Sequence, residues 1–213
     1  MQDIISLVNS RYTCKDYDPT KKISADDIEK VKEILIKSPS SSNTQSSHFV
    51  MVESDEIKRK IADCSWEANY NRIVHASHVI LFCGMNGYNE RYLMEVYKQE
   101  KADGRFDKFT SEEAYFKNRA SLYMSLPYSE QIAHIDAQVN IALGFFLLGI
   151  EGLGINATPM GGFVRGKVDQ LLGLTDRRLH SVYLVSIGYA GEHDFNMGIK
   201  KSRLPEKTLI TVM

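Results

Sequence analysis

Cysteine is scarce in this chain, and no two cysteines have the spacing of a metal-binding or redox motif. Cys14, Cys64 and Cys83 include no Cys-x-x-Cys pair, which excludes a zinc ribbon and a thioredoxin-type motif. A sparse and odd number of cysteines is typical of a reducing compartment. The first residues also lack a basic region followed by an apolar stretch, so we expect no signal peptide and a cytoplasmic protein.

Neither sign of charge is in excess, and long hydrophobic runs are absent. The formal net charge is −1, from 26 basic and 27 acidic residues. A dedicated nucleic-acid-binding protein needs a strong basic excess, so we expect no nucleic-acid partner. The most apolar segment, residues 139–150, is shorter than a bilayer-spanning helix requires. We therefore expect no membrane partner and predict that this segment belongs to a buried core helix.

Hydrophobic periodicity predicts helices interspersed with a few strands. The second helix is predicted to begin at Ser24, and the longest one to run from Ser129 to about Glu151. The later part of this long helix is apolar all round, which predicts burial on every side. Strands are predicted at residues 48–53, 79–83 and 182–190, and further helices at about 88–99 and 111–124. The predicted class is α+β, with residues 1–213 forming one domain and a small mixed sheet wrapped by helices around the long central helix.

Three groups of basic residues are candidate ligand-binding positions. Arg11 and Lys15 follow the first helix, Arg72 lies in mid-chain, and Lys201 and Arg203 lie near the C-terminus. Taken singly, a lysine or arginine is most often a solvated surface charge. Only their combination with other segments could point to a binding site.

Two loops have an ambiguous composition. The polar stretch of residues 38–47 either forms a plain turn or binds a polar ligand such as a ribityl chain. Pro159 to Phe163 contains Gly161-Gly162, which fits a turn and also fits close approach of the backbone to a flat ring.

Other familiar motifs give no support for a different chemistry. His75 and His78 are three residues apart but have no third ligand nearby, so we interpret them as structural and predict no metal site. Residues 152–157 match the loose dinucleotide fingerprint Gly-x-Gly-x-x-Ala, but they follow a predicted helix where that motif requires a strand. The sequence also lacks a P-loop, a Gly-x-Ser-x-Gly elbow and a His-Glu-x-x-His motif.

Over essentially its full length the chain resembles the bacterial oxygen-insensitive NAD(P)H nitroreductases and their flavin reductase and dihydropteridine reductase relatives. The order and spacing of several segments carry the resemblance. They are Arg11-x-x-x-Lys15, Ser38-Pro39-Ser40-Ser41-Ser42-Asn43-x-Gln45-x-x-His48-Phe49, Ala76-Ser77-His78-Val79, Ala102-Asp103-Gly104-Arg105-Phe106, Pro159-x-x-Gly162-Phe163, Asp194-Phe195-Asn196 and Lys201-Ser202-Arg203-Leu204-Pro205.

The resemblance implies a nitroreductase-like fold, an intertwined homodimer and a tightly bound, non-covalent FMN at the subunit interface. It places Arg11, Thr13, Lys201 and Arg203 around the FMN phosphate. Lys15 and Arg72 are expected to face the pyrimidine edge and stabilise the reduced flavin, with Asn69 nearby. The loop from Pro39 to Asn43, with Gln45, is expected to come from the other subunit. The full set of expected cofactor-binding residues is Arg11, Tyr12, Thr13, Lys15, Pro39, Ser40, Ser41, Ser42, Asn43, Gln45, Asn69, Arg72, Pro159, Met160, Gly161, Gly162, Lys201 and Arg203.

Three positions depart from the family pattern. Ser46-Ser47 stands where the family often has Pro-Trp, which removes a bulky wall near the pocket. Gly161 stands where the best-studied branch has Glu, and Arg72 stands where that branch has Lys. The departures leave the fold and the FMN site as expected, but they bear on the substrate.

The function implied is ping-pong hydride transfer from the co-substrate NAD(P)H, through N5 of FMN, to a small planar acceptor such as a nitroaromatic, a quinone, a flavin or a pterin. The flavin supplies the chemistry, so no protein acid or base is needed for the first step. Two alternatives stay open. One is a flavin-cleaving enzyme or reductive dehalogenase on the same fold, with residues 109–126 as a lid and Leu122 and Tyr123 capping the flavin. The other is a non-catalytic FMN-binding sensor.

Overall fold

The computed structural model describes residues 3–107 and 112–213 of the chain. Within these residues the helices are α1 (Ile4–Ser10), α2 (Ala25–Ile36), α3 (Asp55–Asp63), α4 (Tyr70–Val74), α5 (Glu90–Ala102), α6 (Glu112–Met124), α7 (Tyr128–Glu151), α8 (Arg165–Leu171) and α9 (Glu206–Leu209). The strands are β1 (Ser47–Val52), β2 (His78–Met85), β3 (Asn156–Met160) and β4 (Leu179–Gly188).

The strands form one sheet in the order β1-β2-β4-β3, and each neighbouring pair is antiparallel. The α+β class is therefore confirmed, whereas the prediction of a mixed sheet is wrong. Strand direction could not be decided from the sequence. Helices α5, α6 and α7 all lie between β2 and β3, and a connection of that length allows the next strand to run in either direction. A parallel pairing does occur outside the strands, as an isolated bridge between Thr13 and Ala157.

Strand β2, which the sequence predicted at residues 79–83, is an inner strand of the sheet and is buried on both faces. Alternate side chains of a strand point to opposite faces of the sheet. Ile80 and Phe82 accordingly join the core between the sheet and helices α2 and α7. Val79 and Leu81 join a second core on the opposite face, where α3, α4 and α8 pack.

Helix α7 is the long helix that the sequence predicted, and one side of it packs on the sheet. Val139, Phe146 and Ile150 are almost completely buried there. The prediction of burial on every side is wrong for a single chain, since Ile141 and Phe145 on the opposite side are 47% and 44% exposed. Within the described residues α7 is also the one helix long and apolar enough to cross a membrane by length and composition, a test that core helices also pass.

Local signals located some elements closely and missed others. Helix α2 begins after Ser24, whose side chain accepts a hydrogen bond from the Asp27 N–H, as a capping residue should. Strand β3 and helix α4 were not predicted. Strand β3 contains Pro159, which disfavours a strand, and α4 is only five residues long. Residues 109–111 of the suggested lid lie outside the described residues.

Candidate active site

The segment from Arg11 to Lys15 lies along strand β3 and is fixed there by its backbone. The Cys14 N–H donates to the Ala157 carbonyl at 3.4 Å, and the hydroxyl of Thr158 donates to the Cys14 carbonyl. Cys14 is fully buried, and burial is the main cause that raises the pKa of its thiol to about 12. Cys14 therefore anchors the segment, while the half-buried side chains of Arg11 and Lys15 lie on either side of it.

Asp194 and Asn196 join the C-terminal segment to the strip formed by residues 11–15. The Asp194 carboxylate accepts hydrogen bonds from the Lys15 N–H at 3.1 Å and from the Tyr12 hydroxyl at 2.9 Å. The Asn196 side chain donates to the Thr13 carbonyl at 2.7 Å. The sequence contained both residues in a family-like motif but gave them no role. Their contacts hold the chain so that residues 201–203 return beside Arg11.

Arg11, Lys201 and Arg203 form one cationic group, as the resemblance implied. They line a cavity of about 320 Å³ together with Tyr12, Thr13 and Asn196. The Lys201 ammonium donates to the carbonyls of Val8, Asn9 and Arg11 at 2.6, 3.2 and 2.7 Å, so it also caps the end of α1. Desolvation, followed by the charges of Arg11 and Arg203, lowers the pKa of Lys201. Like charges are thus held close together at this end of the strip.

Arg72, Asn69 and Gly162 form a second connected group. Arg72 lies on α4 and donates to Oδ1 of Asn69 at 2.9 Å. The amide nitrogen of the buried Asn69 donates to the Gly162 carbonyl at 3.1 Å, and the Trp66 N–H donates to the same carbonyl at 2.9 Å. Helix α4 is thereby connected to the pair Gly161–Gly162 that follows β3. Because the sequence did not predict α4, it could not predict this connection.

Lys15 and Arg72 come from distant parts of the sequence and repel each other in the folded chain. Desolvation is the main cause that lowers the pKa of Lys15, and the charge of Arg72 is the second. Two like charges so placed are stabilised when an anion binds between or beside them. The charge of Arg72 therefore acts on Lys15 in the folded chain, and the pairing of these two cations at a ligand stays a prediction.

Gly161 and Gly162 differ in what surrounds them. A Cβ on Gly162 would lie 2.7 Å from Cε3 of Trp66 and 2.9 Å from Nδ2 of Asn69, so only glycine fits there without a shift. A Cβ on the exposed Gly161 would meet only Tyr183, at 3.7 Å. Neither backbone N–H donates a hydrogen bond to any residue that the structure describes. Two donors are thus available to a ligand.

Met160 and Pro159 contribute backbone rather than side chains to this region. The Met160 side chain is 4% exposed and packs in the core with Leu184. Pro159 is paired with Val185 inside β3. Trp66, by contrast, was not selected from the sequence, yet its indole is 69% exposed and lies against Gly162. A lone tryptophan in a loop carries no pattern that would have identified it.

The loop from Pro39 to Gln45 has an unusual backbone. Ser42, Asn43 and Gln45 have φ angles of 48°, 50° and 49°, in the left-handed region that non-glycine residues seldom adopt. Internal hydrogen bonds brace the loop, among them Gln45 N–H to Ser40 Oγ at 3.0 Å. The Ser41 N–H donates to Oε1 of Gln138 on α7 at 2.8 Å, and the Ser41 hydroxyl lies 3.1 Å from the Tyr123 hydroxyl. The loop therefore has a specific conformation that hydrogen bonds fix, and it is not a plain turn.

Within one chain this loop does not reach the cations. Among the described residues, no hydrogen bond or ion pair connects residues 39–45 to Arg11, Lys15, Arg72, Lys201 or Arg203. The expected site is thus divided into two parts, one carrying the cations and the glycine pair and the other carrying the loop. Tyr123 is buried beneath the loop and its hydroxyl donates to the Ser42 hydroxyl at 3.1 Å, so in this chain Tyr123 supports the loop, while Leu122 is 57% exposed.

Ser46 and Ser47 lie at the base of the same loop. Ser46 is fully buried, and Ser47 borders two cavities of about 360 and 310 Å³. The second cavity is also lined by Pro39, Ser40 and Gln45. The small side chain of Ser47 therefore leaves open space beside the loop, as the departure from Pro-Trp suggested.

A model of a known protein family accounts for most of the chain. The model described as the nitroreductase family matches residues 8–189. The chain belongs to the nitroreductase family. The match includes the strip after α1, the loop of residues 39–45, Arg72 and the glycine pair, and it ends before Lys201 and Arg203.

Individual relatives of this nitroreductase-family chain agree with the match. It is 35% identical over 214 residues to the oxygen-insensitive NAD(P)H nitroreductase of Salmonella typhimurium, covering 98% of this chain and 99% of that one. It is 29% identical over 214 residues to the major NAD(P)H-flavin oxidoreductase of Aliivibrio fischeri, covering 99% and 98% of the two chains. A putative nitroreductase from Exiguobacterium sibiricum, solved in complex with FMN, has the same fold, with a TM-score of 0.85 at 21% identity over 100% of this chain and 98% of that chain.

Proposed function

We propose that this nitroreductase-family chain is an FMN-dependent NAD(P)H oxidoreductase, with FMN bound non-covalently by the cationic strip and the glycine pair. The main support for the proposal is that two cationic groups meet along residues 11–15. One consists of Arg11, Lys201 and Arg203, and the other of Lys15 and Arg72. Arg11 and Lys15 are four residues apart, and extended chain of that length spans at most about 14 Å. An elongated ligand with an anionic group at one end and an electron-accepting ring at the other fits this arrangement.

The group of Arg11, Lys201 and Arg203 would hold the FMN phosphate. A phosphate monoester carries nearly two negative charges, and the planar guanidinium of arginine matches its oxygens. Desolvation is the main cause that lowers the pKa of Lys201, and the repulsion from Arg11 and Arg203, which adds to it, would be relieved by such an anion. Asp194 and Asn196 act indirectly, since they hold the C-terminal segment against residues 12–15.

Lys15, Asn69 and Arg72 would bind the pyrimidine edge of the ring. When bound, FMN supplies the hydride-accepting and hydride-donating chemistry that the side chains themselves lack. The two cations favour the form of the ring that carries negative charge at this edge. The unused N–H groups of Gly161 and Gly162 would orient the ring by donating hydrogen bonds to it.

A homodimer would complete the site. Apolar side chains that one chain leaves exposed lie on α1, α7 and the C-terminal segment, namely Ile4, Ile5, Val8, Ile141, Phe145, Leu204, Leu209, Ile210 and Val212. Extensive exposed apolar surface of this kind marks an interaction surface. A Cβ on Gly144 of α7 would meet nothing, so the backbone there is open to close approach by another helix. The partner's copy would bring its loop of residues 39–45 to the cations.

The second substrate would be a small planar acceptor, such as a nitroaromatic, a quinone, a flavin or a pterin, that uses the same open face as NAD(P)H in a ping-pong scheme. Gly161 is exposed, and Ser47 leaves space beside the loop, so this face of the site is not closed by bulky side chains. A cytoplasmic location, where NAD(P)H is available, is part of the proposal.

The test is the visible absorption spectrum of the purified protein, recorded before and after anaerobic addition of NADPH or NADH. We expect a flavin spectrum that is bleached by either nucleotide and returns on addition of a quinone. Protein that cannot be loaded with FMN would overturn the proposal. A bound flavin that both nucleotides leave oxidised would favour the sensor or the flavin-cleaving alternative.

A further inference from the structure

A buried ion pair lies directly beneath the loop of residues 39–45. Glu100 on α5 and Arg119 on α6 each have a side chain that is only 2% exposed. Nη2 of Arg119 lies 2.8 Å from Oε2 of Glu100, and Nη1 lies 3.0 Å from Oε1. Only the contact between Nη1 and Oε1 is a hydrogen bond, and the contact between Nη2 and Oε2 is an ion-pair contact without hydrogen-bond geometry.

Both members of the pair also contact the loop. The Asn43 side-chain amide donates to Oε1 of Glu100 at 2.8 Å, and Nη1 of Arg119 donates to the Ser42 carbonyl at 3.2 Å. Ser42 and Asn43 are two of the residues with left-handed φ angles. Such a conformation costs free energy in non-glycine residues and persists only where surrounding contacts enforce it. The ion pair provides contacts of this kind at both strained residues.

The contact with Glu100 also decides how the Asn43 amide is turned. The carboxylate can only accept hydrogen bonds, so it holds the NH₂ group of Asn43 inward. The amide carbonyl, a hydrogen-bond acceptor, is then directed away from Glu100. A loop without this contact would lose both its backbone conformation and the preferred orientation of the amide.

Stability alone is a weak reason for such a pair. Removing two charges from water costs about as much as their attraction returns, and apolar residues of similar size often stabilise a fold better. The pair in this chain instead makes specific contacts with a loop that the proposed function assigns to the partner's cofactor.

We propose that Glu100 and Arg119 are positioning residues for the cofactor site of the partner subunit. They hold Ser42 and Asn43 in the left-handed conformation and turn the Asn43 carbonyl outward, toward the polar part of FMN. The proposal rests on the proposed function, and it connects the helical excursion of α5 and α6 to flavin binding through named contacts.

The first experiment replaces both charges at once, in the variant Glu100→Met/Arg119→Met, so that neither charge is left buried and unpaired. We expect the variant to fold and dimerise, and to bind FMN about tenfold or more weakly, measured by quenching of flavin fluorescence. The matched control is Glu113→Gln/Lys117→Gln, which removes an exposed ion pair on the same helix α6. An FMN affinity within about twofold of wild type in a folded Glu100→Met/Arg119→Met variant would overturn the proposal.

A second experiment uses the amide itself and stands even where the double variant does not fold. In Asn43→Asp the new carboxylate faces Glu100, so FMN binding should weaken. Adding Glu100→Gln removes the repulsion between the two carboxylates and leaves the new carboxylate at position 43 as the counter-charge of Arg119, and we expect it to recover most of the lost affinity. A purely structural role for Glu100 predicts no such recovery, and its absence would count against the positioning role. Wild-type protein that binds no FMN would overturn the proposed function instead.

Discussion

Arg72 donates a hydrogen bond to Asn69 at 2.9 Å, and this contact makes a flexible cation part of a rigid group. Asn69 is 7% exposed and is itself bound to the Gly162 carbonyl at 3.1 Å. The orientation of the guanidinium is therefore coupled to the position of the glycine pair. A lysine at position 72 would carry the same charge, but its compact ammonium lacks the rigid planar arrangement of donors that a guanidinium has.

Replacing Arg72 should change the redox properties of the bound flavin. In Arg72→Met the negative charge of the reduced ring loses one of its two cations, so we expect the two-electron midpoint potential of FMN to fall by about 30 mV or more. Arg72→Lys should retain most of the wild-type potential because it retains the charge. Spectroelectrochemical titration measures both. The control is Arg59→Met, which alters an exposed arginine on α3. Equal potentials in Arg72→Met and wild type would place Arg72 away from the ring.

The glycine pair offers a matched comparison of two neighbouring substitutions. In Gly162→Ala the new methyl group would press on Trp66 and on Asn69, at 2.7 and 2.9 Å, and one of them must move. We expect FMN affinity to fall about tenfold or more. Gly161→Ala has its nearest neighbour at 3.7 Å and should bind FMN almost as wild type does. Flavin fluorescence titration measures the affinity of both variants. Equal affinities would mean that the close packing of Gly162 against Trp66 and Asn69 does not determine FMN binding.

Trp66 is the sole tryptophan of the chain, so its fluorescence reports on one place. The exposed indole lies against Gly162, and we expect bound FMN to quench its emission by energy transfer. Quenching should reach its end point at one FMN per chain. Riboflavin should quench to a similar extent when saturating. Flavin binding that left the tryptophan emission unchanged would mean that the ring lies elsewhere.

The phosphate end can be tested by comparing FMN with riboflavin, which lacks the phosphate. Arg203→Met should weaken FMN binding about tenfold or more and leave riboflavin binding nearly unchanged, because one charge partner of the phosphate is lost. Lys201→Met should weaken FMN binding and also lower the melting temperature, since Lys201 caps the end of α1 with three hydrogen bonds. Isothermal titration and thermal unfolding separate the two effects. A parallel loss of riboflavin affinity in Arg203→Met would contradict the phosphate assignment.

Local sequence signals were sufficient for elements that depend on neighbouring residues. Ser24 identified the start of α2, and residues 79–83 were correctly predicted as a strand, which lies inside the sheet. The strip after α1, Arg72 and the glycine pair were selected through their resemblance to a family, and not through local periodicity. The contacts that hold these residues, above all those of Asp194 and Asn196, were not predicted because they connect positions about 180 residues apart.

The sequence by itself determined the α+β class, the long helix and the central strand, because hydrophobic pattern is a local property, and its resemblance to a family supplied the set of candidate cations. Only the tertiary structure decided the antiparallel order β1-β2-β4-β3, the electrostatic interaction of Lys15 with Arg72 and the left-handed loop above Glu100 and Arg119. Each of these results from groups that are distant in the chain packing against one another. Strand direction, charge repulsion and loop strain are set by that packing and leave no periodic trace in the sequence.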